Sequence, residues 1–311
     1  MDEKKTPVIG LPRALLYHRY GTLWQTYFES LGVETVLSPV TNREILENGS
    51  ALAMDESCLS AKLYLGHVQT LIGKCDQVFI PRYSSLERDA VFCTRFEGLY
   101  DQTRNIFRAS GQGFLSCDID QRNRHGERDA YVNLGKKLGF SARDARSAYQ
   151  SAVKVNEKQW RERVEAQEEE YRKPGMKILL VGRSYMLSDP YVGRPISDYL
   201  KSIGVSPLRA DVTDRDAAVR ESGKYSPTCR WLMSRELIGS VLLHQDMVDG
   251  VILLSAFPCG PDSMVNEMLT RKLKGISILN LVLDAQSGMA GVETRLESFV
   301  DIIRFKEGAP V

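Results

Sequence analysis

The sequence predicts an α/β protein of two Rossmann-like domains with parallel sheets, joined by a long helix. Three observations predict it. Short, nearly all-apolar runs alternate with stretches of helical pattern, the signature of parallel strands covered by helices. The alternation restarts after Lys173-Pro174-Gly175. Between the two series, Ala142 to Tyr171 contains no proline or glycine. The expected domains are residues 1–140, a connecting helix over 141–174, and residues 175–311.

The elements follow in order. Val8 to Leu11 reads as a strand closed by Pro12, and Leu15 to Leu31 as a helix ended by Gly32. Val33 to Leu37 is the next strand, and Asn42 caps a short helix that stops near Gly49. Cys58 precedes an apolar helix from Leu59 to Ile72. Asp76 to Ile80 is a buried strand, and a polar loop from Pro81-Arg82 leads to Cys93 and a helix. Gly113 to Cys117 is a strand, Arg128 to Leu138 a helix ended by Gly139, and Ser141 caps the long helix. Along that helix Tyr149, Val153, Trp160, Val164 and Tyr171 form one apolar stripe opposite a charged face. It fits a connector packed on both domains, or a partner coiled coil.

In the second half Lys177 to Gly182 is a strand, and Arg183 to Tyr191 a loop into a helix ending near Gly204. Thr213 caps a short helix, and Arg230 to Gln245 is a longer one. Asp249 to Phe257 is a strand apolar enough to be buried on both faces. Pro258-Cys259-Gly260-Pro261-Asp262 breaks it and opens a helix from Ser263 to Leu273. Gly275 to Asp284 is the last strand, and Val292 to about Phe305 the last helix.

Composition narrows the function. A hydrophobic fraction of 43% and a charged fraction of 26% are those of a globular protein. The formal net charge of +1 gives no reason to expect nucleic acid or an anionic membrane as partner. No apolar run approaches a membrane span, and the first residues lack the apolar core of a signal peptide, so a cytoplasmic location is expected. No GxGxxG and no P-loop occurs, so any ATP hydrolysis is expected of a partner.

Six cysteines are present, none at CxxC spacing. Cys58 and Cys259 each stand just ahead of a helix, and Cys93 lies in a loop with a helix after it. Cys259 joins the carboxyl end of a buried strand to a helix amino end, where open α/β sheets bind ligands and thiols ionise more easily. Three such thiolates with an open fourth position suit one 4Fe–4S cluster. The plainer reading of any one cysteine is an inert packing residue, and Cys75 and Cys117, which flank buried strands, fit it. Cys229 is open to either reading. His67, on the apolar helix, reads first as a packing residue and second as a ligand or acid–base group. Asp55, Glu56 and Asp262 fit helix caps, or proton carriers near a cluster.

Ile9-Gly10-Leu11-Pro12-Arg13-Ala14-Leu15-Leu16-Tyr17 resembles the start of proteins related to activases of acyl-CoA dehydratases. These belong to the superfamily of 2-hydroxyacyl-CoA dehydratase subunits and double-cubane cluster proteins. The resemblance continues, in order, through 37–42, Gly66-His67-Val68, Phe79-Ile80-Pro81-Arg82 and Cys93-Thr94-Arg95-Phe96-Glu97-Gly98-Leu99. It then takes in Gly182-Arg183-Ser184-Tyr185, Asp189-Pro190-Tyr191, Pro258-Cys259-Gly260-Pro261-Asp262-Ser263 and 290–297. It implies two α/β domains with an iron–sulfur cluster held by Cys58, Cys93 and Cys259. That cluster is either a single 4Fe–4S or a double cubane shared between subunits. Low-potential electrons would come from a separate ATPase activator of actin/Hsp70-type fold and serve dehydration of a 2-hydroxyacyl-CoA or a related difficult reduction. Lys62, His67, Arg82, Arg183 and Asp262 would orient the substrate or move protons. The chain departs from the family pattern in three places: Leu59-Ser60 and Thr94, where proline is usual nearby, and Ala285-Gln286-Ser287-Gly288, which lacks a histidine.

The resulting expectation is an enzyme component, a homodimer or a heterodimer with a related subunit. The alternative is a non-catalytic subunit or assembly factor that pairs with a cluster-bearing paralogue. A zinc site using the three thiolates and His67 is a third reading, disfavoured because structural zinc uses close-spaced ligand pairs.

Overall fold

A computed structural model describes residues 6–306 of the chain. Its described residues divide into two compact units, one of residues 6–55 and 61–160, the other of 56–60 and 161–306. The long helix expected between domains is one continuous element whose residues are shared between the units.

The first unit begins β1 (Ile9–Leu11), α1 (Tyr17–Ser30), β2 (Thr35–Leu37) and α2 (Arg43–Leu52). Then come α3 (Leu59–Leu71), β3 (Gln77–Phe79), β4 (Arg82–Glu87), β5 (Ala90–Val91) and α4 (Thr94–Ile106). It closes with β6 (Gly113–Leu115), β7 (Asp118–Asp120), α5 (Glu127–Lys137) and α6 (Ala142–Arg172). The main sheet is parallel, in the order β2-β1-β3-β6. Most of the expected punctuation holds, although α2 runs through Gly49, expected near its end, to Leu52. Gly32 and Gly139 adopt φ of 68° and 95°, which end α1 and α5. Asn42 caps α2 by accepting from Ile45 N at 2.9 Å, and Ser141 accepts from Asp144 N at 3.1 Å at the start of α6.

A small second sheet, β5-β4-β7, is the element the sequence hides. Arg82–Glu87 reads as a polar loop, yet Tyr83, Ser84 and Ser85 are buried. The polar groups are satisfied inside the unit: Ser85 Oγ donates to Asp120 Oδ1 at 2.6 Å. The core beside it is aromatic. Tyr20 stacks on Tyr83 at 4.8 Å, and the Tyr83 and Tyr149 hydroxyls donate to the two oxygens of Glu127 at 3.1 and 2.9 Å. Burial raises the Glu127 carboxyl above its ordinary range.

The second unit continues with β8 (Lys177–Val181), α7 (Ser184–Leu187), α8 (Arg194–Ser202), β9 (Ser206–Arg209) and α9 (Arg215–Tyr225). Next are α10 (Leu232–His244), β10 (Gly250–Ala256), α11 (Gly260–Lys272), β11 (Ser277–Leu283) and α12 (Met289–Lys306). Its sheet is parallel, in the order β11-β10-β8-β9. β10 is buried along its whole length, as its apolar run requires. Leu179, Val181, Val251 and Leu253 pack with Ile238, Val241 and Leu269 in one core. β9, not foreseen in the sequence, carries Pro207 and Arg209 in a four-residue edge strand, too short and interrupted to read as one. Asp214, not Thr213, caps α9, accepting from Ala217 N at 2.9 Å.

The long helix is amphipathic as expected, and its stripe is buried at its ends, at Tyr149 and Tyr171, and half-buried between them. In the first unit Tyr149 reaches Glu127 and Gln159 accepts from Thr22 Oγ1 at 2.6 Å. In the second, Gln167 bonds the backbone of Arg209 and Val212, and Tyr171 stacks on His244 at 4.4 Å.

Counted in chain order within each unit, both main sheets run second, first, third, fourth. In such a sheet the connections diverge between the first and third strands, and ligands bind at the carboxyl ends there. In the first unit that point lies between β1 and β3, in the second between β8 and β10.

Candidate functional site

The carboxyl ends of β8 and β10 gather three of the residues the sequence singles out, Cys259, Arg183 and Asp262. β10 ends at Ala256, a cis Phe257–Pro258 peptide follows, and Cys259 is the N-cap residue of α11. The expected start of α11 at Ser263 moves to Gly260, with Pro261 in its first turn. Across the crevice β8 runs into Gly182, where a Cβ would stand 3.0 Å from Leu254 O. Glycine there lets the strand end run close to β10. Arg183 is the next residue and the N-cap of α7.

Arg183 and Asp262 are both 5% exposed and form an ion pair, with Arg183 Nε donating to Asp262 Oδ1 at 2.6 Å. Arg183 Nη2 donates to the buried Ser234 Oγ of α10 at 2.8 Å. Asp262 Oδ2 is buried without a hydrogen-bond partner. Burial pushes the Cys259 thiol well up, the Asp262 carboxylate adds to this, and Arg183 opposes it. The thiol is therefore protonated at neutral pH.

Cys58 belongs to the same unit, on the short segment Glu56–Ser60. Bonds that hold that segment include Leu59 N donating to Phe257 O at 3.0 Å and Ser60 Oγ donating to Met186 Sδ at 3.2 Å. Tyr185 of α7 senses every member of the group. Burial raises its hydroxyl, Arg183 opposes, and Asp262, Cys259 and Cys58 all raise it further. Arg183, Asp262 and Cys259 thus stand at this switch point, and Cys58 and Cys259 are both within electrostatic range of Tyr185. Tyr185 lies in a quoted motif, but nothing in its residue type marks it as part of a site. Ser234 gives no sequence signal, because a serine inside an apolar helix reads as packing.

Cys93 is in the first unit, as the N-cap residue of α4, with its carbonyl accepting from Phe96 N at 2.9 Å. All three candidate cysteines therefore immediately precede a helix, but at Cys259 the easier ionisation expected of a helix amino end is overturned, because burial outweighs it. Lys62 lies in the first turn of α3. Arg82 opens β4, donates to Asp101 Oδ1 at 2.7 Å, lies 3.5 Å from Asp118 Oδ1 and covers the Tyr100 ring at 4.9 Å. Two carboxylates and an aromatic ring occupy it within the first unit. His67 is fully buried, with Nδ1 2.8 Å from Ser38 Oγ and Nε2 3.0 Å from Thr41 Oγ1. Both ring nitrogens are used, the arrangement of a packing histidine, and neither is left for a zinc ion. Cys117 is buried and pushed up by burial, and Cys75 donates to Leu71 O at 3.5 Å, so both behave as packing thiols. Cys229 packs against the second unit's core ahead of α10, which starts at Leu232.

Among the described residues, no group of three or more His, Cys, Asp or Glu side chains is arranged to hold a metal ion. The second unit supplies two thiols, and the donor chemistry suits iron–sulfur ligation, which takes cysteine sulfur. Ligation there would release the Cys259 proton. No helix among the described residues is long and apolar enough to cross a membrane.

No curated protein matches the chain. A family model matches residues 8–212, a stretch that includes Cys58, Cys93 and Arg183 and stops before Cys259 and Asp262. The model is that of the CoA enzyme activase uncharacterised domain (DUF2229), and the chain belongs to that family.

Proposed function

We propose that the chain is an iron–sulfur component of a CoA-linked enzyme system. It would take low-potential electrons from a separate ATP-hydrolysing activator and pass them to a bound substrate, in dehydration of a 2-hydroxyacyl-CoA or a related reduction. The observation that carries the reading is Cys259 at the entrance of α11 beside the buried Arg183–Asp262 pair at a sheet switch point, with the segment that carries Cys58 bonded to Phe257. Cys93, also at a helix entrance, is the third ligand in this proposal. When bound, the cluster supplies one-electron chemistry.

The chain's own residues prepare the site. Asp262 neutralises Arg183, so the crevice floor carries a fixed dipole rather than a net charge. Ser234 fixes the guanidinium plane. Tyr185 keeps its proton and can donate a hydrogen bond to a substrate oxygen. Lys62 remains the proposed contact for an anionic part of the substrate. A dimer, with itself or with a related chain, is part of the proposal, because three thiols per chain would supply half of a double cubane.

The test is iron and acid-labile sulfide per chain after anaerobic purification and reconstitution, compared with Cys58→Ala/Cys93→Ala/Cys259→Ala. The expected result is about four of each, lost in the variant. No iron, or iron untouched by the variant, would overturn the assignment and leave the non-catalytic subunit. The family's description favours a second reading, in which the chain is itself the ATP-hydrolysing activator. ATP turnover by the purified chain alone separates the two: the first reading expects none.

A further inference from the structure

The first unit has its own switch point, and the proposed cluster does not explain what stands there. β1 runs into Pro12 and Arg13. Arg13 N donates to Ser38 Oγ at 2.8 Å, and Ser38 directly follows β2. The same hydroxyl meets His67 Nδ1, whose ring is tied on its other side to Thr41. The backbone at Arg13 is therefore pinned from two elements. Leu15, two residues on, has φ 50°, a value a bulky residue rarely adopts, so the surrounding structure fixes the chain's path here.

The guanidinium lacks a matching partner. Arg13 Nε is buried and makes no hydrogen bond, and among the described residues no carboxylate pairs with this side chain. The same guanidinium adds to burial in holding the His67 ring neutral. Arg183, just beyond the first strand of the second unit's sheet, has Asp262. A buried polar atom left unpaired in a folded protein calls for an explanation, and a ligand is one.

We propose that Arg13 binds the oxyanion of a small-molecule ligand, a phosphate or a carboxylate, at the carboxyl end of β1. The planar fork of an arginine holds such a group through two parallel hydrogen bonds, and Nε is one of the donors. The pinned backbone preorganises it. The assignment stands whether or not the chain carries a cluster.

The test follows the arginine Nε–H resonances of the full chain by 15N-edited NMR, with inorganic phosphate and then acetate added at constant ionic strength. The Arg13 signal is the one missing from Arg13→Gln. It should shift saturably with one or both anions, and the tighter one names the oxyanion. Phosphate or acetate should also raise the thermal midpoint of the wild type and not that of Arg13→Gln. Arg13→Lys, which keeps charge but loses the fork, should bind about tenfold more weakly. It serves as the second variant if the glutamine form fails to fold. An Arg13 signal unmoved by either anion, or moved equally by chloride, overturns the proposal. So does an equal midpoint rise in the variants.

Discussion

The two switch points share a strand order and differ in chemistry. The second encloses an arginine matched by an aspartate, with two thiols and a tyrosine around them. The first holds an arginine that pairs with no acid among the described residues, linked through Ser38 to a histidine satisfied by two hydroxyls. Topology thus decides where a site can form, at the diverging strands, and side chains decide what it does. The contrast makes a physical claim. In the second unit charge is balanced within the protein, and in the first it waits for a ligand.

The largest effect should come from breaking the balanced pair. Asp262→Ala leaves the Arg183 guanidinium buried and unpaired, which costs about 3–5 kcal/mol. Arg183→Met/Asp262→Leu removes both charges and should cost far less, since buried pairs and apolar replacements of similar volume come out nearly even. Urea unfolding followed by far-UV circular dichroism measures both. If Asp262→Ala costs under about 1 kcal/mol, the pair behaves as a solvated one and the contrast between the sites collapses.

An intermediate effect belongs to His67. Burial first, then His18 and Arg13, lower its pKa from 6.5 to about 3. The unfolded chain takes up that proton near the ordinary value, and the folded chain refuses it until far lower. Between the two values the unfolded state binds more protons, so stability rises with pH. The contribution is complete above about pH 6.5 and is lost as pH falls towards 3. Urea midpoints of the wild type measured down this range should fall more steeply than those of His67→Gln. Equal slopes would show that His67 is protonated in the folded protein, and the first site would then carry one more positive charge.

Much of this was legible in the sequence. Strand–helix alternation gave both parallel sheets, because buried parallel strands need continuous apolar runs such as Gly250–Ala256. Glycine and Asn42 marked helix ends because their backbone and capping chemistry is local. β4 and β9 were not legible. Their residues are polar or interrupted by proline, and only tertiary hydrogen bonds such as Ser85 to Asp120 make burial tolerable. The same divide runs through the site. Cys58, Cys93 and Cys259 stand before helices as read, whereas the roles of Arg183 and Asp262 came only from the family resemblance and Asp262 by itself read first as a helix cap. Ser234, which fixes the Arg183 guanidinium, comes from an element distant in sequence and is of ordinary residue type, and Tyr185, though two residues from Arg183, has no residue-type signal of its own.

The smallest effect is the sharpest comparison. Arg183→Met strands Asp262 Oδ1 in a buried crevice and should destabilise by about 3–5 kcal/mol. Arg13→Met strands no acid and removes a buried nitrogen that has no partner, so it should change stability by no more than about 0.5 kcal/mol. The two variants make the same substitution just beyond the first strand of two like sheets, and they should differ because only one arginine has its counter-charge inside the protein. Added phosphate or acetate should then separate the wild type from Arg13→Met, since only a chain that binds the anion gains stability from it. A loss above about 1 kcal/mol in Arg13→Met without added anion would mean that Arg13 holds the fold itself. The first switch point would then be a structural joint rather than a site held ready for a ligand.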